Sequence, residues 1–186
     1  MKHSSPRSPW WISEQLIRNA RAYRRYRARP GLLAVVLRKI ARVKHNVLSV
    51  LTASDIDPNA ELGEGLKLPH PNGVVIHPDV RIGRDCMIMQ QVTLGQRSVR
   101  AAPVLGDGVY VGAGAKLLGA IFIGDGAAIG ANAVVLQDVP AGCTAVGVPA
   151  RIKAKLELVG EGMDLLAPDE PPPPARFDGS SQNRAR

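Results

Sequence analysis

Little in this chain crosslinks it or anchors it. Of 186 residues only Cys86 and Cys143 are cysteine, too few for a disulfide framework. Both fall at inward, small-residue positions of the repeat described below, where a free thiol behaves as a small hydrophobe, so a reducing compartment is expected. No run of about 18 uncharged apolar residues occurs. The most apolar early segment, 31–51, is interrupted by Arg38, Lys39, Arg42 and Lys44. The first residues lack the h-region and cleavage site of a signal peptide, and a cytoplasmic location is expected. Acidic residues are outnumbered, 16 against 24 Lys and Arg, for a net charge of +8 and a pI near 10.0. That excess lies mostly before Ser54, in arginines such as Arg18, Arg21, Arg24, Arg25, Arg27 and Arg29. The remainder is balanced, so nucleic acid is not an expected partner, and no metal site is assigned.

What the chain has instead is a period of six. From Leu105 onward an aliphatic residue returns at Val111, Leu117, Ile123, Ile129 and Val135, and four residues after each stands Val109, Ala115, Ile121, Ala127, Ala133 or Val139. A helical face repeats near 3.6 residues and a half-buried strand every 2, so neither fits. A parallel β-helix of very short strands does. Every sixth residue is expected to make a corner with its aliphatic side chain inward, and three hexapeptides to make a triangular coil of about 18 residues. Coils stack at the strand spacing of about 4.8 Å. Glycine and Asn132 suit the turns because they tolerate positive φ. The length predicts one domain with appendages.

Residues 1–12 read as a flexible lead. The basic stretch 13–53 reads as two helices, the first with Ser13 as N-cap and Leu16, Ile17, Ala20 and Tyr23 at helical spacing, ended by Pro30. The second, about 31–50, gathers Leu33, Val36, Leu37, Ile40 and Val43 on one face, expected to pack on the rest of the protein. The alternative is peripheral contact of this basic helix with an anionic membrane surface. The hexapeptide rhythm occupies 54–153, opening with Ile56, Leu62 and Leu68, with Ala60 and Leu66 at the paired inward positions. The extension 154–186 is expected to be largely disordered from about 167, where Pro171 to Pro174 precede a polar end.

The rhythm breaks twice. Leu68 and Ile76 are eight residues apart, so two extra have entered at HPNGVV. Regular steps follow through Ile82, Ile88 and Leu94, with Val80, Cys86 and Val92 inside. Eleven residues then separate Leu94 from Leu105, about five extra in GQRSVRAAPV. A coil admits an insertion only as an outward loop, and loops on rigid scaffolds carry function, so the active site is expected there. His70 sits in the first interruption and His77 follows it. An imidazole titrating near neutrality can take a proton from a hydroxyl and return it to a leaving thiolate. The period alone does not make an enzyme, since β-helices also serve as structural scaffolds.

The run GLKLPHPNGVVIHPDVRIGRDCMIMQQVTLG, followed by VGAGAKLLGAIFIGDGAAIGANAVVLQDVP and VGVPARI, resembles the serine O-acetyltransferases and their near relatives over about residues 55–153. The resemblance implies a left-handed parallel β-helix, whose crossovers are an exception to the usual handedness of parallel connections. It also implies a homotrimer with active sites between subunits, and acetyl-coenzyme A as acyl donor. His70 falls on the position of the family's catalytic base, and Asp55 on that of the carboxylate that orients the imidazole and stabilises its charged form. Direct attack of an acceptor hydroxyl on the thioester is implied. Ala113 and Ala131 match positions whose backbone groups bind coenzyme A; being 18 residues apart, they are expected to stack on successive coils along one edge. Arg151 and Lys153 are the expected partners of its phosphates.

The departures from the family pattern concern the acceptor. Serine acetyltransferases carry an aspartate directly before the base, where this chain has Pro69, and an Arg-His-Pro run in the long loop, where it has Ala101, Ala102 and Pro103. The helical region is also much shorter than the family's usual helical domain. With these losses the chain is similar to O-acetyltransferases of bacterial exopolysaccharide and capsule clusters, of the colanic acid type. A sugar or polysaccharide-precursor hydroxyl is therefore the expected acceptor, with Arg97 and Arg100 contacting a pyrophosphate-linked or acidic saccharide near the membrane. L-serine is the alternative acceptor, and a non-catalytic scaffold the alternative of another class.

Overall fold

A computed structural model of the chain describes residues 11–97 and 102–154; Arg100, Ala101, most of the expected lead and nearly all of the C-terminal extension lie outside the described residues. Two helices, α1 (Trp11–Arg27) and α2 (Leu32–Thr52), precede strands of two or three residues each. The strands form three faces. Face A stacks β1 (Asp55–Ile56), β3 (Val75–Ile76), β6 (Thr93–Gly95), β9 (Lys116–Leu118) and β12 (Val134–Val135). Face B stacks β2 (Glu61–Leu62), β4 (Arg81–Ile82), β7 (Val104–Leu105) and β10 (Phe122–Ile123). Face C stacks β5 (Met87–Ile88), β8 (Tyr110–Val111), β11 (Ala128–Ile129) and β13 (Thr144–Val146), closed by β14 (Arg151–Lys153). Pairing is parallel except between β13 and β14, which turn the chain back at the last coil. The expected left-handed β-helix is the fold observed.

The period of six has a simple local origin. Each two-residue strand turns its first side chain outward and its second inward, as in β8, where Tyr110 is exposed and Val111 buried. Two residues then make a turn, and the fourth residue after the inward aliphatic points inward again. Leu105, Val109, Val111, Ala115, Leu117, Ile123, Ile129 and Val135 are all buried to 2% exposure or less. One detail differs from expectation: the aliphatic residue sits at the end of the flat strand, and the corner is made by the second and third residues after it. The second of those turn residues has positive φ, at Gly108 and Gly114 but also at Asp85, Gln91 and Asn132. At Gly114 the φ of 74° is joined by a steric demand, because an added Cβ would lie 2.0 Å from Asn132 Oδ1. Truncating one core aliphatic such as Leu117 to alanine costs about 2–5 kcal/mol.

Cys86 is buried and its thiol donates to the Gly106 carbonyl at 3.1 Å, with burial pushing its pKa up; Cys143 is only half-buried, and both are free. A free buried thiol packs as the small hydrophobe expected.

The helices close the open end of the coil stack. β1 and β2 are edge strands, so carbonyls on their outer side have no further coil to pair with. Arg21 donates to the carbonyls of Leu62 and Gly63, and His45 Nε2 donates to that of Ile56 at 2.6 Å. Leu16 and Ile17 join the β-helix core beneath these contacts. Two expectations are corrected. Ser13 lies inside the first turn of α1 and is buried, because α1 already runs from Trp11. On α2 the buried residues are Ala34, Ala41, His45 and Thr52, while Leu33, Val36, Ile40 and Val43 are exposed. Small side chains allow α2 close approach to α1, so the bulky stripe faces away.

Candidate active site

His70 is exposed and stands where the chain leaves Leu68 on face C for β3 on face A. The two extra residues push this turn outward. Beyond it, along one edge of the prism, the turns 72–73, 90–91, 113–114 and 131–132 lie in register. Gln91 N–H donates to the Asn72 carbonyl at 2.9 Å, Gly114 N–H to Gln90 at 2.9 Å and Asn132 N–H to Ala113 at 2.8 Å. Ala113 and Ala131 therefore occupy equivalent sites on successive coils, and the edge they share is the one His70 heads. About 4.8 Å separates each level from the next.

Asp55 is exposed on β1, paired with Val75, and its N–H donates to the Val74 carbonyl at 2.8 Å. One level up, Gly73 N–H donates to Ala53 at 2.9 Å. Asp55 and the turn that follows His70 thus belong to adjoining levels of the same edge. Among the described residues no hydrogen bond joins the carboxylate to the imidazole.

Arg151 follows directly on the turn that ends this edge, since Val134 N–H donates to the Gly147 carbonyl at 3.0 Å and Ala150 N–H to that of Val134 at 2.8 Å. Lys153 stands two residues further along β14, opposite Thr144, away from the edge; both cations are exposed. Arg97 lies elsewhere. It opens the long loop at the edge between faces A and B, where an added Cβ on Gly119 would lie 3.3 Å from its own Cβ. His77 belongs to that same edge, its Nδ1 accepting from Asp79 N–H at 3.2 Å, with Gln96 donating to Asp79 Oδ2 at 3.1 Å. A concavity of about 720 Å³ opens there, lined by Glu61, Asp79, Arg24, Arg81 and Ala102 among others. Arg24 beside Glu61 holds that carboxyl below its ordinary value. One face, roughly five residues or about 16 Å of extended chain, separates this edge from the His70 edge in one subunit.

Two residues that the sequence pattern did not single out belong to the His70 edge. Gln90 occupies the same turn position as Ala113 and Ala131, and its Oε1 is buried without a hydrogen-bond partner among the described residues. Lys116 projects from β9, its Nζ donating to the Gln91 carbonyl at 2.7 Å and to Thr93 Oγ1 at 3.2 Å. Among the four turn positions in register, Asn72, Gln90, Ala113 and Ala131, Gln90 carries the longest side chain, but its 23-residue step to Ala113 breaks the 18-residue spacing that would have shown it.

What this edge can do chemically follows from its parts. It presents an exposed imidazole at one end, a column of turns with small side chains and accessible backbone, an orphaned amide oxygen within the column, and a guanidinium at the far end. No group of three or more His, Cys, Asp or Glu that could hold a metal ion occurs among the described residues.

No family model matches the chain. It is similar to the serine acetyltransferase of Synechococcus elongatus, 41% identical over 138 residues that cover 66% of this chain and 57% of that one. To the serine acetyltransferase of Helicobacter pylori strain J99 it is 47% identical over 119 residues, covering 62% of this chain and 70% of that one. The chain thus spans little more than half the length of the first of these relatives. Among solved structures, soybean serine acetyltransferase complexed with serine matches with a TM-score of 0.67 and 37% identity, over 77% of this chain and 58% of that one. The Brucella abortus serine acetyltransferase in complex with coenzyme A matches with a TM-score of 0.67 and 33% identity, over 79% and 56%.

Proposed function

The chain belongs to the serine acetyltransferase family, and on that premise we propose that it transfers the acetyl group of acetyl-coenzyme A to an acceptor hydroxyl, with L-serine as the acceptor. The observation that carries this reading is the single edge on which the turns of Asn72, Gln90, Ala113 and Ala131 stack, with the exposed His70 two residues before the first of them. A thioester donor laid along that column would end beside the imidazole. Ala113 and Ala131 leave room for its amide arm to hydrogen-bond the backbone, Gln90 Oε1 is an acceptor awaiting an N–H, and Arg151 meets the phosphates. Lys153 is a more distant partner for the same groups.

Acetyl-coenzyme A supplies an activated acyl group. His70 takes the proton from the acceptor hydroxyl as it adds to the thioester carbonyl, then returns that proton to the departing thiolate, so no acyl-enzyme is needed. Asp55, on the adjoining level, would orient the imidazole and stabilise its charged form once substrate draws the two together.

A homotrimer supports the same chemistry. The His70 edge and the long-loop edge lie on opposite sides of face A, so Arg97 and the 720 Å³ concavity meet a His70 only if it comes from a neighbouring copy.

L-serine is favoured as acceptor because the similar proteins are serine acetyltransferases and one of them was solved with serine bound. A sugar hydroxyl is the second reading, favoured by Pro69 and by Ala102 and Pro103, which offer no charge for an amino acid's ammonium and carboxylate. Thiol release from acetyl-coenzyme A separates the two. Turnover with millimolar L-serine is expected; turnover with sugar or nucleotide-sugar acceptors but none with serine would reverse the order. Absence of transfer to every acceptor, with coenzyme A bound, would leave the scaffold reading.

A further inference from the structure

Helix α2 has its polarity reversed. The face toward the protein carries Ala34, Ala41, His45 and Thr52, with His45 hydrogen-bonded to the Ile56 carbonyl of the first coil. The face away from it carries Leu33, Val36, Ile40, Val43, Val47 and Val50, at steps of three and four residues, and these are 72%, 45%, 45%, 62%, 54% and 80% exposed. They make one uninterrupted aliphatic stripe about 25 Å long. A soluble surface helix has the opposite arrangement, and an exposed stripe of this extent marks a contact.

The charges around the stripe say what the contact is. Lys39 borders it on one side and Lys44 on the other, Arg38 and Arg42 lie further round, and α2 has no acidic residue at all. Arg18 and Arg25 are exposed on α1 alongside. Two copies paired through this stripe would set Lys39 of one helix against Lys44 of the other, because those positions flank the seam of a helix pair. The frame repels its own copy and selects an anionic, extended apolar partner. No helix among the described residues is long and apolar enough to cross a membrane, so the fitting geometry is a helix lying in the surface plane.

We propose that α2 is a membrane-surface helix: its aliphatic stripe enters the interfacial layer of an anionic lipid bilayer, with Lys39 and Lys44 at the headgroups and the β-helix on the aqueous side. His45 and Ile56 tie the helix to the first coil, so the catalytic edge would be held at the bilayer.

The test is co-sedimentation of the full chain with phosphatidylcholine vesicles, with and without phosphatidylglycerol. The bound fraction should be about tenfold higher on the anionic vesicles and fall in high salt. Val43→Ser with Val47→Ser should remove most binding, and Lys39→Gln with Lys44→Gln should weaken it about tenfold on anionic vesicles. Phe122→Ser, which polarises an exposed residue of face B, should change nothing. Val43, Val47, Lys39 and Lys44 lie outside the turns of the His70 edge, so thiol release in solution should stay at the wild-type rate in the α2 variants. Equal sedimentation with and without vesicles would overturn the proposal. So would a Val43→Ser, Val47→Ser protein that binds vesicles normally, or one whose only change is a smaller particle mass by light scattering, which would assign the stripe to contact between copies.

Discussion

Two edges of this β-helix are built from the same turn and the same hydrogen-bond ladder, yet one is closed and the other open. On the edge between faces B and C the turn position holds Arg84, Asp107 and Asp125. There Asp107 Oδ1 accepts from Arg84 N–H at 2.7 Å, Asp125 Oδ1 accepts from Asp107 N–H at 2.8 Å, and the Arg84 guanidinium grips Asp107 Oδ2. The edge satisfies itself. On the His70 edge the equivalent positions are Gln90, Ala113 and Ala131, and the column offers its backbone and an unpaired amide oxygen to whatever approaches. A single side chain per coil therefore decides whether a turn closes on its neighbour or stays open.

The largest expected effect breaks the open edge at its head. His70→Ala should lower acetyl transfer by about 10²–10⁴-fold while leaving coenzyme A binding intact, measured by thiol release and by titration calorimetry. A loss under tenfold would remove His70 from the role of base.

The next expectation exchanges the two edges. Ala131→Asp imports the closed edge's side chain into the proposed donor column, and should raise KM for acetyl-coenzyme A about tenfold or more by blocking the slot and repelling its phosphates. Asp125→Ala makes the reverse change: activity should be unaltered, and stability should fall by about 1 kcal/mol through the lost bond to Asp107 N–H, read from denaturant midpoints. An Ala131→Asp enzyme with normal KM would place the donor elsewhere.

The smallest effect concerns acid. Asp107 is held below the usual carboxylate range, first by the Arg84 N–H and then by its guanidinium, and Glu61 likewise by Arg24. A depressed carboxylate contributes stability that is present above its unfolded pKa, near 4, and lost as pH falls through its folded value. Tm should therefore drop below about pH 4. Asp107→Asn should flatten part of that slope, and the effect is small because both groups are exposed.

Most of the coil was legible in the residues themselves. Val109, Ala115, Ala127 and Ala133, read as inward from the period, are all fully buried. The stacking of Ala113 on Ala131 followed from their 18-residue separation. The equivalence of Gln90 was less visible because the long insertion sets it 23 positions from Ala113, so it is hidden until the ladder is traced. The α2 face was misjudged for a different reason. Periodicity identifies a stripe but not which side of the helix the protein occupies, and here the small residues won the interior.

The sequence by itself determined the coil, the inward set and the positions of the two interruptions, because in a two-residue strand inside and outside are fixed by local geometry. Only the tertiary structure decided which turns share an edge, that His70 and Arg97 fall on different edges, and that α2 turns its aliphatic stripe outward. Those depend on hydrogen bonds between coils 18 to 23 residues apart and on how closely two helices can approach, sums over the whole stack that no local window contains.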